Sequence, residues 1–334
     1  LRHPSFIALR EDKPASDVVV ETPKDLPKSA KPAKKTASKK RDHPTAESLG
    51  VKVSNPDRTI FPTEELTKGD LAAYYAAIGP LMMVTSANRP MTLIRCPQGR
   101  AKKCFFQKHD TGSMGDHVKH VPIAEKKGGT QDYLYMEDIR GILACVQMGA
   151  IEFHGWGSKV DKVENPDRLV FDLDPDEGLD FAAVRDAARR IRDLLADIGL
   201  ETWPLLTGGK GVHVIAPLDR SANWEAVSSF AERFSRAVAE AEPERFTANM
   251  RKVQRKGRIF LDWLRNQRGS TAVMPFSARA REGAPVSAPI AWDELDDYEG
   301  GNAFTIRDVD LLFERSESKL LKGWGEVKQA LPKA

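Results

Sequence analysis

Residues 169–175 read Leu-Val-Phe-Asp-Leu-Asp-Pro, a short apolar run of strand-forming residues that ends in two carboxylates. Because side chains alternate across a strand, Asp172 and Asp174 are predicted to face one side while Leu173 points into the core. Two anions held about 7 Å apart repel each other unless a cation lies between them. The spacing therefore suits a pair of divalent metal ions, although the overlapping Asp-Pro-Asp-Glu-Gly is also an ordinary turn sequence.

The size and composition of the chain indicate a globular protein without a membrane partner. Its 334 residues suffice for one large domain or two ordinary ones, and no apolar run reaches membrane-spanning length. There is no signal-peptide pattern, and the chain starts at Leu1 rather than Met, which suggests a fragment of a longer protein. The three cysteines, Cys96, Cys104 and Cys145, are few and odd in number, which favours a reducing cytoplasm over a disulfide framework.

The net charge of +3 hides an uneven distribution. Residues 1–44 contain eleven basic and six acidic side chains, whereas the remaining residues contain 40 basic and 42 acidic ones. A nearly neutral body cannot bind polyanions through its overall charge, so any nucleic-acid site on it must be a local patch.

The chain divides into three predicted segments. Residues 1–14 are too short to fold alone and look like the last strand of an upstream domain. Residues 15–47 form a basic linker, predicted to be a solvated tether, with loose contact to DNA phosphates as the alternative. Residues 48–334 alternate strand-like and helix-like patterns, which predicts an α+β domain with a mixed central β-sheet flanked by helices.

The periodicity of apolar residues locates the main elements of this domain. Helices are predicted at 67–78, 180–198 and 223–240, and strands at 203–206, 212–216, 258–264 and 271–276. In the second helix the apolar positions recur at spacings of four and three before Gly199 ends the pattern: Val184, Ala188, Ile191, Leu195 and Ile198.

A glycine-rich segment, Thr-Gly-Gly-Lys-Gly-Val-His at 207–213, is a candidate phosphate-binding loop. Three glycines let the backbone turn with its N–H groups aimed at one point, a concavity that suits anions. Lys210 adds a positive charge at the tip, Thr207 adds a hydroxyl, and His213 can donate to a phosphate oxygen. The spacing is not that of a Walker A loop, and an ordinary hairpin turn remains the alternative.

An acidic residue interrupts the apolar, aromatic stretch 258–264. Such a residue is costly to bury unless it is paired or bound to metal, so Asp262 could complete a triad with Asp172 and Asp174. The alternative is an edge-strand residue that faces water. The preceding basic run would suit phosphates beside a carboxylate site, or form a solvated face: Arg251, Lys252, Arg255, Lys256 and Arg258.

Two adjacent aromatic residues, Phe105 and Phe106, are flanked by cations in 102–109. Aromatic rings can stack on bases while neighbouring charges hold the backbone, although a buried strand would also explain them. Zinc binding is disfavoured, because the cysteines and histidines nearby form no Cys-x-x-Cys pair and have irregular spacings. His154 lies in an aromatic strand end, where a lone histidine is more often structural than functional.

The order of these motifs along the chain closely resembles the polymerase domain of bacterial DNA ligase D, in the archaeo-eukaryotic primase superfamily. The resemblance covers residues 48–334 and includes Asn-Pro-Asp-Arg (55–58), Leu-Thr-Lys (66–68), Phe-Phe (105–106), Phe-Asp-Leu-Asp-Pro (171–175), the glycine-rich segment, Phe-Leu-Asp-Trp (260–263) and Pro-Phe-Ser-Ala-Arg (275–279). The opening residues resemble the closing segment of the ATP-dependent ligase domain of those proteins, which implies an upstream ligase domain.

The resemblance implies the primase-polymerase fold and a cytoplasmic, nucleoid-associated enzyme of bacterial non-homologous end joining. Such an enzyme fills gaps and extends DNA ends with NTPs or dNTPs, with or without a template, uses two divalent metal ions (Mn²⁺ or Mg²⁺) and works with the end-binding protein Ku. Transferred residue by residue, it implies Asp172, Asp174 and Asp262 as catalytic metal ligands and His154, Thr207, Lys210, His213, Arg255 and Arg279 around the nucleotide. Phe105 and Phe106 would stack on template bases, and Arg58, Lys68 and Lys108 would hold the 5′-phosphate of the downstream strand. Thr207 stands where the family usually has Ser, and threonine retains the hydroxyl group.

The sequence is compatible with two other function classes. Phe-Asp-Leu-Asp is similar to the opening of a haloacid-dehalogenase phosphatase, with Asp172 as nucleophile, but Asp176 stands where that motif has Thr or Val. A non-catalytic DNA-end-binding module is the other alternative, and it has no use for three aligned carboxylates.

Overall fold

The computed structural model describes residues 41–109, 112–125 and 128–332. The predicted remnant 1–14 and most of the predicted linker 15–47 lie outside these residues. The strands are β1 Thr59–Phe61, β2 Leu66–Thr67, β3 Met91–Arg95, β4 Phe105–Gln107, β5 Val118–Ala124, β6 Thr130–Met136, β7 Ala150–Trp156, β8 Arg168–Pro175, β9 Trp203–Leu206, β10 Val212–Pro217, β11 Phe246–Thr247, β12 Ile259–Asp262, β13 Thr271–Val273 and β14 Ala288–Pro289. The helices are α1 Lys68–Ser86, α2 Ile139–Gln147, α3 Phe181–Asp197, α4 Trp224–Ala241 and α5 Val309–Ser316.

A six-stranded mixed sheet, in the order β11-β12-β8-β10-β9-β14, forms the centre of the domain. The apolar strand β8 is antiparallel to both β12 and β10, whereas β11 is parallel to β12. Leu169, Phe171 and Leu173 of β8 are fully buried, and they belong to the same core as the inner faces of α3 and α4. The α+β fold with a mixed central sheet and flanking helices is therefore confirmed.

The α3 helix follows the predicted pattern except at its last turn. The Asp180 side chain accepts a hydrogen bond from Ala183 N and caps the start, and Gly199, with φ of 85°, follows the end. Four of the five recurring apolar positions are fully buried, but Ile198 is 44% exposed. Ile198 differs because the helix ends at Asp197, one residue earlier than predicted.

The α1 helix continues two turns beyond the predicted end at 78. Proline normally ends a helix, yet this one passes through Pro80 to Ser86. The preceding Gly79 packs directly on α2, since a Cβ there would lie 2.5 Å from Ile139 Cγ1. Close packing between the two helices therefore outweighs the local preference of the Gly-Pro pair.

A second sheet, β13-β7-β3-β4, was not anticipated as a separate layer. Tyr75 of α1 joins the layers: its hydroxyl donates to Ile151 O of β7 at 2.6 Å and accepts from Ala278 N at 2.9 Å. The predicted strands at 258–264 and 271–276 are shorter than expected, because a 3-10 helix, Trp263–Asn266, follows β12 and β13 ends at Val273. The candidate site lies where the two sheets meet.

A disulfide between Cys96 and Cys104 closes the loop that joins β3 to β4. The cysteine count favoured reduced thiols, and the structure corrects this for the pair, while Cys145 is a buried thiol. A count cannot show that two of the residues lie on either side of one short loop. None of the helices among the described residues is long and apolar enough to cross a membrane.

Candidate active site

Three carboxylates converge on adjacent strands of the central sheet. In the antiparallel pair β8 and β12, Asp262 lies directly opposite Asp172, and Asp174 is two residues further along the same face of β8. Each residue offers a carboxylate oxygen, and these oxygens lie within 4.8 Å of one another. Asp172 and Asp262 are only 6% and 2% exposed, so Asp262 does not face water as the alternative required.

Arg265 is the residue of this cluster that sequence reasoning missed. Its Nη2 lies 2.9 Å from Asp172 Oδ2 and 3.1 Å from Asp262 Oδ2, so one guanidinium bridges two of the three acids. It reaches them because the 3-10 helix after β12 places it three residues beyond Asp262. The signal in the sequence was an arginine three residues after a buried acid. That spacing indicates a contact only if a 3-10 helix follows the strand, which the sequence did not show.

His213 extends the row of polar residues across a third strand. It is the register partner of Asp172 on β10, is 3% exposed, and its Nε2 lies 3.4 Å from Asp172 Oδ1. Burial alone would raise the pKa of Asp172, but the charges of His213 and Arg265 outweigh burial and hold that pKa well below its usual range. Asp172 is therefore ionised at neutral pH, as a metal ligand must be.

The glycine-rich loop between β9 and β10 packs tightly beside the triad. Thr207 Oγ1 donates to Gly211 O at 2.9 Å and accepts from Gly209 N at 3.3 Å, so the hydroxyl fixes the loop across its base. Gly211 permits close strand contact, because a Cβ there would lie 2.3 Å from Leu173 O. Lys210 is exposed at the tip, where it was predicted to add a positive charge.

Glu152 of β7 is a second buried acid that sequence reasoning did not select. Its Oε2 accepts from Arg279 Nε at 2.8 Å and lies 2.8 Å from His154 Nε2, and its Oε1 accepts from Ala280 N at 2.8 Å. Burial opposes ionisation, but the charge of Arg279 and the hydrogen bond from His154 prevail and lower the pKa of Glu152 far below its usual range. His154 is not isolated, since it shares the Glu152 carboxylate with Arg279, which the sequence also placed at the nucleotide.

Direct contacts connect several predicted nucleotide-side residues to the triad or to the glycine-rich loop. Arg279 donates through Nη1 to the carbonyl oxygen of Thr207, and it also binds Glu152 of β7, so it joins β7 to the glycine-rich loop. Arg255 lies 3.8 Å from Asp174 Oδ2, with its guanidinium 3.8 Å from the centre of the Phe260 ring. Burial lowers the pKa of His154, against the effect of Glu152, so burial favours the neutral imidazole.

The aromatic pair lies on the edge strand β4 of the second sheet. Phe105 is 41% exposed and Phe106 is half-buried, so neither is a core residue. The Arg95 guanidinium lies 5.3 Å from the centre of the Phe105 ring. Lys108 is engaged on this surface, since its Nζ donates to the Tyr133 hydroxyl at 3.1 Å.

Arg58 and Lys68 line a separate cleft of about 190 Å³. Lys68 is buried and donates to Ser54 O at 2.8 Å and to Gln147 Oε1 at 2.7 Å, while Arg58 donates to Pro97 O at 2.9 Å. Burial, followed by the nearby charge of Arg58, lowers the pKa of Lys68. Two basic groups in one cleft form a site that favours an anion.

Fold and site together define a class: an α+β domain with three aspartates that could hold a metal ion at the centre of a mixed sheet. A family model described as LigD, primase-polymerase domain, matches residues 67–320. The chain belongs to this family.

Relatives and a solved structure agree with this assignment. The multifunctional non-homologous end joining protein LigD of Pseudomonas aeruginosa is 37% identical over 309 residues, which cover 92% of this chain and 36% of that protein. The Mycobacterium tuberculosis H37Rv protein of the same kind is 35% identical over 277 residues, 78% of this chain and 36% of the relative. The polymerase domain of M. tuberculosis ligase D in complex with DNA matches with a TM-score of 0.75 and 32% identity, over 81% of this chain and 97% of that domain. The chain thus spans little more than a third of these curated relatives.

Proposed function

We propose that this chain is a metal-dependent nucleotidyltransferase that extends DNA 3′ ends with NTPs or dNTPs, by template-directed gap filling and terminal addition. It would act at double-strand breaks in bacterial non-homologous end joining, in the cytoplasm at the nucleoid. Family membership supports this function, as do relatives named for end joining. The observation that carries it is the convergence of Asp172, Asp174 and Asp262 beside the glycine-rich loop.

The carboxylate oxygens fit two Mn²⁺ or Mg²⁺ ions, since hard divalent cations prefer oxygen ligands. When bound, such ions lower the pKa of an attacking hydroxyl and stabilise a departing pyrophosphate. The three aspartates would hold them. Around them, Lys210, His213 and Arg279 would neutralise phosphate charge, with the Thr207 hydroxyl, His154 and Arg255 beside the nucleotide.

The DNA would lie across both clefts. The exposed Phe105 and the half-buried Phe106, on their edge strand, would stack on template bases. Arg58 and Lys68 would hold the 5′-phosphate of the downstream strand in their own cleft, with Lys108 nearby. We further propose Ku as a partner and a ligase domain as the covalent neighbour upstream.

Primer extension by an Asp172→Asn variant tests the function. Loss of a metal ligand should lower nucleotide incorporation with Mn²⁺ by about a hundredfold or more, while the affinity for gapped DNA stays near wild type. Asp197→Asn, which changes an exposed aspartate at the end of α3, is the matched control and should extend normally.

Other outcomes identify the alternatives. Near-normal incorporation by Asp172→Asn would refute the assignment. A wild-type chain that binds DNA but incorporates no nucleotide with any metal would be a binding module. Trapping of an aspartyl-phosphate on Asp172 would indicate the hydrolase.

A further inference from the structure

Four arginines lie beside the carboxylates or the glycine-rich loop, and Arg281 differs from the other three. Arg265 and Arg255 lie against the carboxylates of the triad, and Arg279 is bonded to Glu152. Within the ranges that the structure describes, the guanidinium of Arg281 makes no hydrogen bond or ion pair. The side chain is only partly exposed, so it is neither a solvated surface group nor a structurally paired one.

The backbone around Arg281 directs attention to the glycine-rich loop. Arg281 N donates to Arg279 O at 2.8 Å, and Ala284 N donates to Arg281 O at 3.2 Å, which fixes the residue within a tight turn. A Cβ on Gly209 would lie 3.8 Å from both Arg281 Cζ and Arg279 Nη1. Both guanidinium groups therefore border the glycine-rich loop at Gly209.

The charge of Arg281 is incompletely balanced at this position. Burial, and then the neighbouring charge of Arg279, lower the pKa of Arg281, while Glu152 and Asp174 oppose this more weakly. The Glu152 carboxylate is already shared by Arg279, His154 and Ala280 N. A half-buried cation beside another cation is unfavourable unless an anion joins them.

We propose that Arg281 is a further nucleotide-binding residue, which contacts the triphosphate of the incoming nucleotide beside Arg279. The inference rests on the proposed function, because the anion it identifies is the phosphate chain of that substrate. A planar guanidinium can donate two parallel hydrogen bonds to a phosphate group, and Arg281 lies beside Arg279 at the loop that is proposed to bind the phosphates. Arg281 would thus distinguish a triphosphate from a monophosphate.

Equilibrium binding of ATP and AMP to the full 334-residue chain with Mn²⁺ tests this role. Arg281→Met keeps most of the side-chain stem but removes the charge, and it should weaken ATP binding about tenfold while AMP binding is unchanged. The thermal midpoint should stay equal or rise, because a poorly balanced cation is removed. Arg236→Met, which changes an exposed arginine of α4, is the matched control and should leave both affinities unchanged.

Two results would overturn the role. The first is an unchanged ATP affinity in Arg281→Met. The second is an equal loss of ATP and AMP binding together with a lower thermal midpoint, because that combination would show that Arg281 has a structural role. If Arg281→Met does not fold, Arg281→Lys decides, since lysine cannot reproduce the planar fork, and wild-type ATP affinity in that variant would refute the role. Failure of the proposed function can be distinguished from failure of the Arg281 role, because the wild-type chain would then bind ATP without extending a primer.

Discussion

Glu152 places a single buried charge between two residues of the proposed nucleotide site. His154 and Arg279 come from different parts of the chain, and both are held by the same carboxylate oxygen. Its other oxygen accepts the backbone N–H of Ala280, which fixes the carboxylate itself. Under the proposed function, Glu152 would therefore act as a positioning residue, since it orients two side chains without any need to touch the nucleotide.

Replacing Glu152 by Gln should weaken nucleotide use more than DNA binding. The amide keeps the shape but removes the charge that orients Arg279, so the KM for NTP should rise about tenfold at unchanged affinity for gapped DNA. Steady-state primer extension and a DNA-binding titration give both values. Glu240→Gln, an exposed position on α4, should change neither. An unaltered KM in Glu152→Gln would exclude the positioning role.

Acid should destabilise the fold through carboxyl groups that are ionised in the folded state. The pKa values of Glu152 and Asp167 are lowered, Asp167 through Arg89 in spite of burial. Each contributes stability that is fully present above its unfolded pKa, near 4, and is lost as pH falls toward the folded value. Urea unfolding at pH 7, 5, 4 and 3 should show the free energy of unfolding falling below pH 4, by up to about 1.4 kcal/mol per pH unit for each group. Glu152→Gln should flatten this slope, and an equal slope in both proteins would contradict the assignment.

At the level of elements, the pairing of β8 with β10 positions the glycine-rich loop against the carboxylates. Gly211 lies at the start of β10, directly before the register pair Val212 and Leu173. The strands approach there because glycine carries no side chain. The loop geometry is thus fixed by a strand contact and by the Thr207 hydroxyl together.

Gly211→Ala should displace the start of β10. The added Cβ would meet Leu173 O at 2.3 Å, so the strand must move, with a loss of about 1–3 kcal/mol of stability and at least tenfold in kcat/KM for nucleotide addition. Gly178→Ala is the control, because nothing lies within 4 Å of its Cβ position. Urea unfolding and primer extension measure both effects. Normal activity in Gly211→Ala would show that the loop tolerates the shift.

The sequence allowed the central elements of the site to be predicted, but not its supporting residues. Asp172 and Asp174 follow from the two-residue period of a strand, and the cost of burying Asp262 made it a candidate third acid. Glu152 and Arg265 could not be identified in this way. Their partners depend on which strands pair and on a 3-10 turn after β12, which are long-range outcomes of packing. The same reason explains why the second sheet was not anticipated.

Across the whole molecule, one covalent link connects the two proposed DNA contacts. Cys96 lies in the cleft that contains Arg58 and Lys68, and Cys104 directly precedes Phe105 on the edge strand. The disulfide therefore couples the cleft of Arg58 and Lys68 to the aromatic pair through one loop.

Reduction of this disulfide should loosen both contacts. Opening an eight-residue link should lower the free energy of unfolding by about 2.5 kcal/mol, and it should reduce the preference for a 5′-phosphorylated gap over an unphosphorylated one. Thermal unfolding and gap-binding titrations with and without dithiothreitol measure both quantities. Cys104→Ser is the control, since it should match the reduced wild type and be insensitive to dithiothreitol. A reductant that changes neither quantity in the wild type would separate the loop from DNA binding.

Whether two cysteine thiols are joined depends on the reduction potential of their surroundings. Under the proposed function, oxidising conditions would therefore strengthen the binding of a DNA end, and reducing conditions would weaken both of its contacts at once.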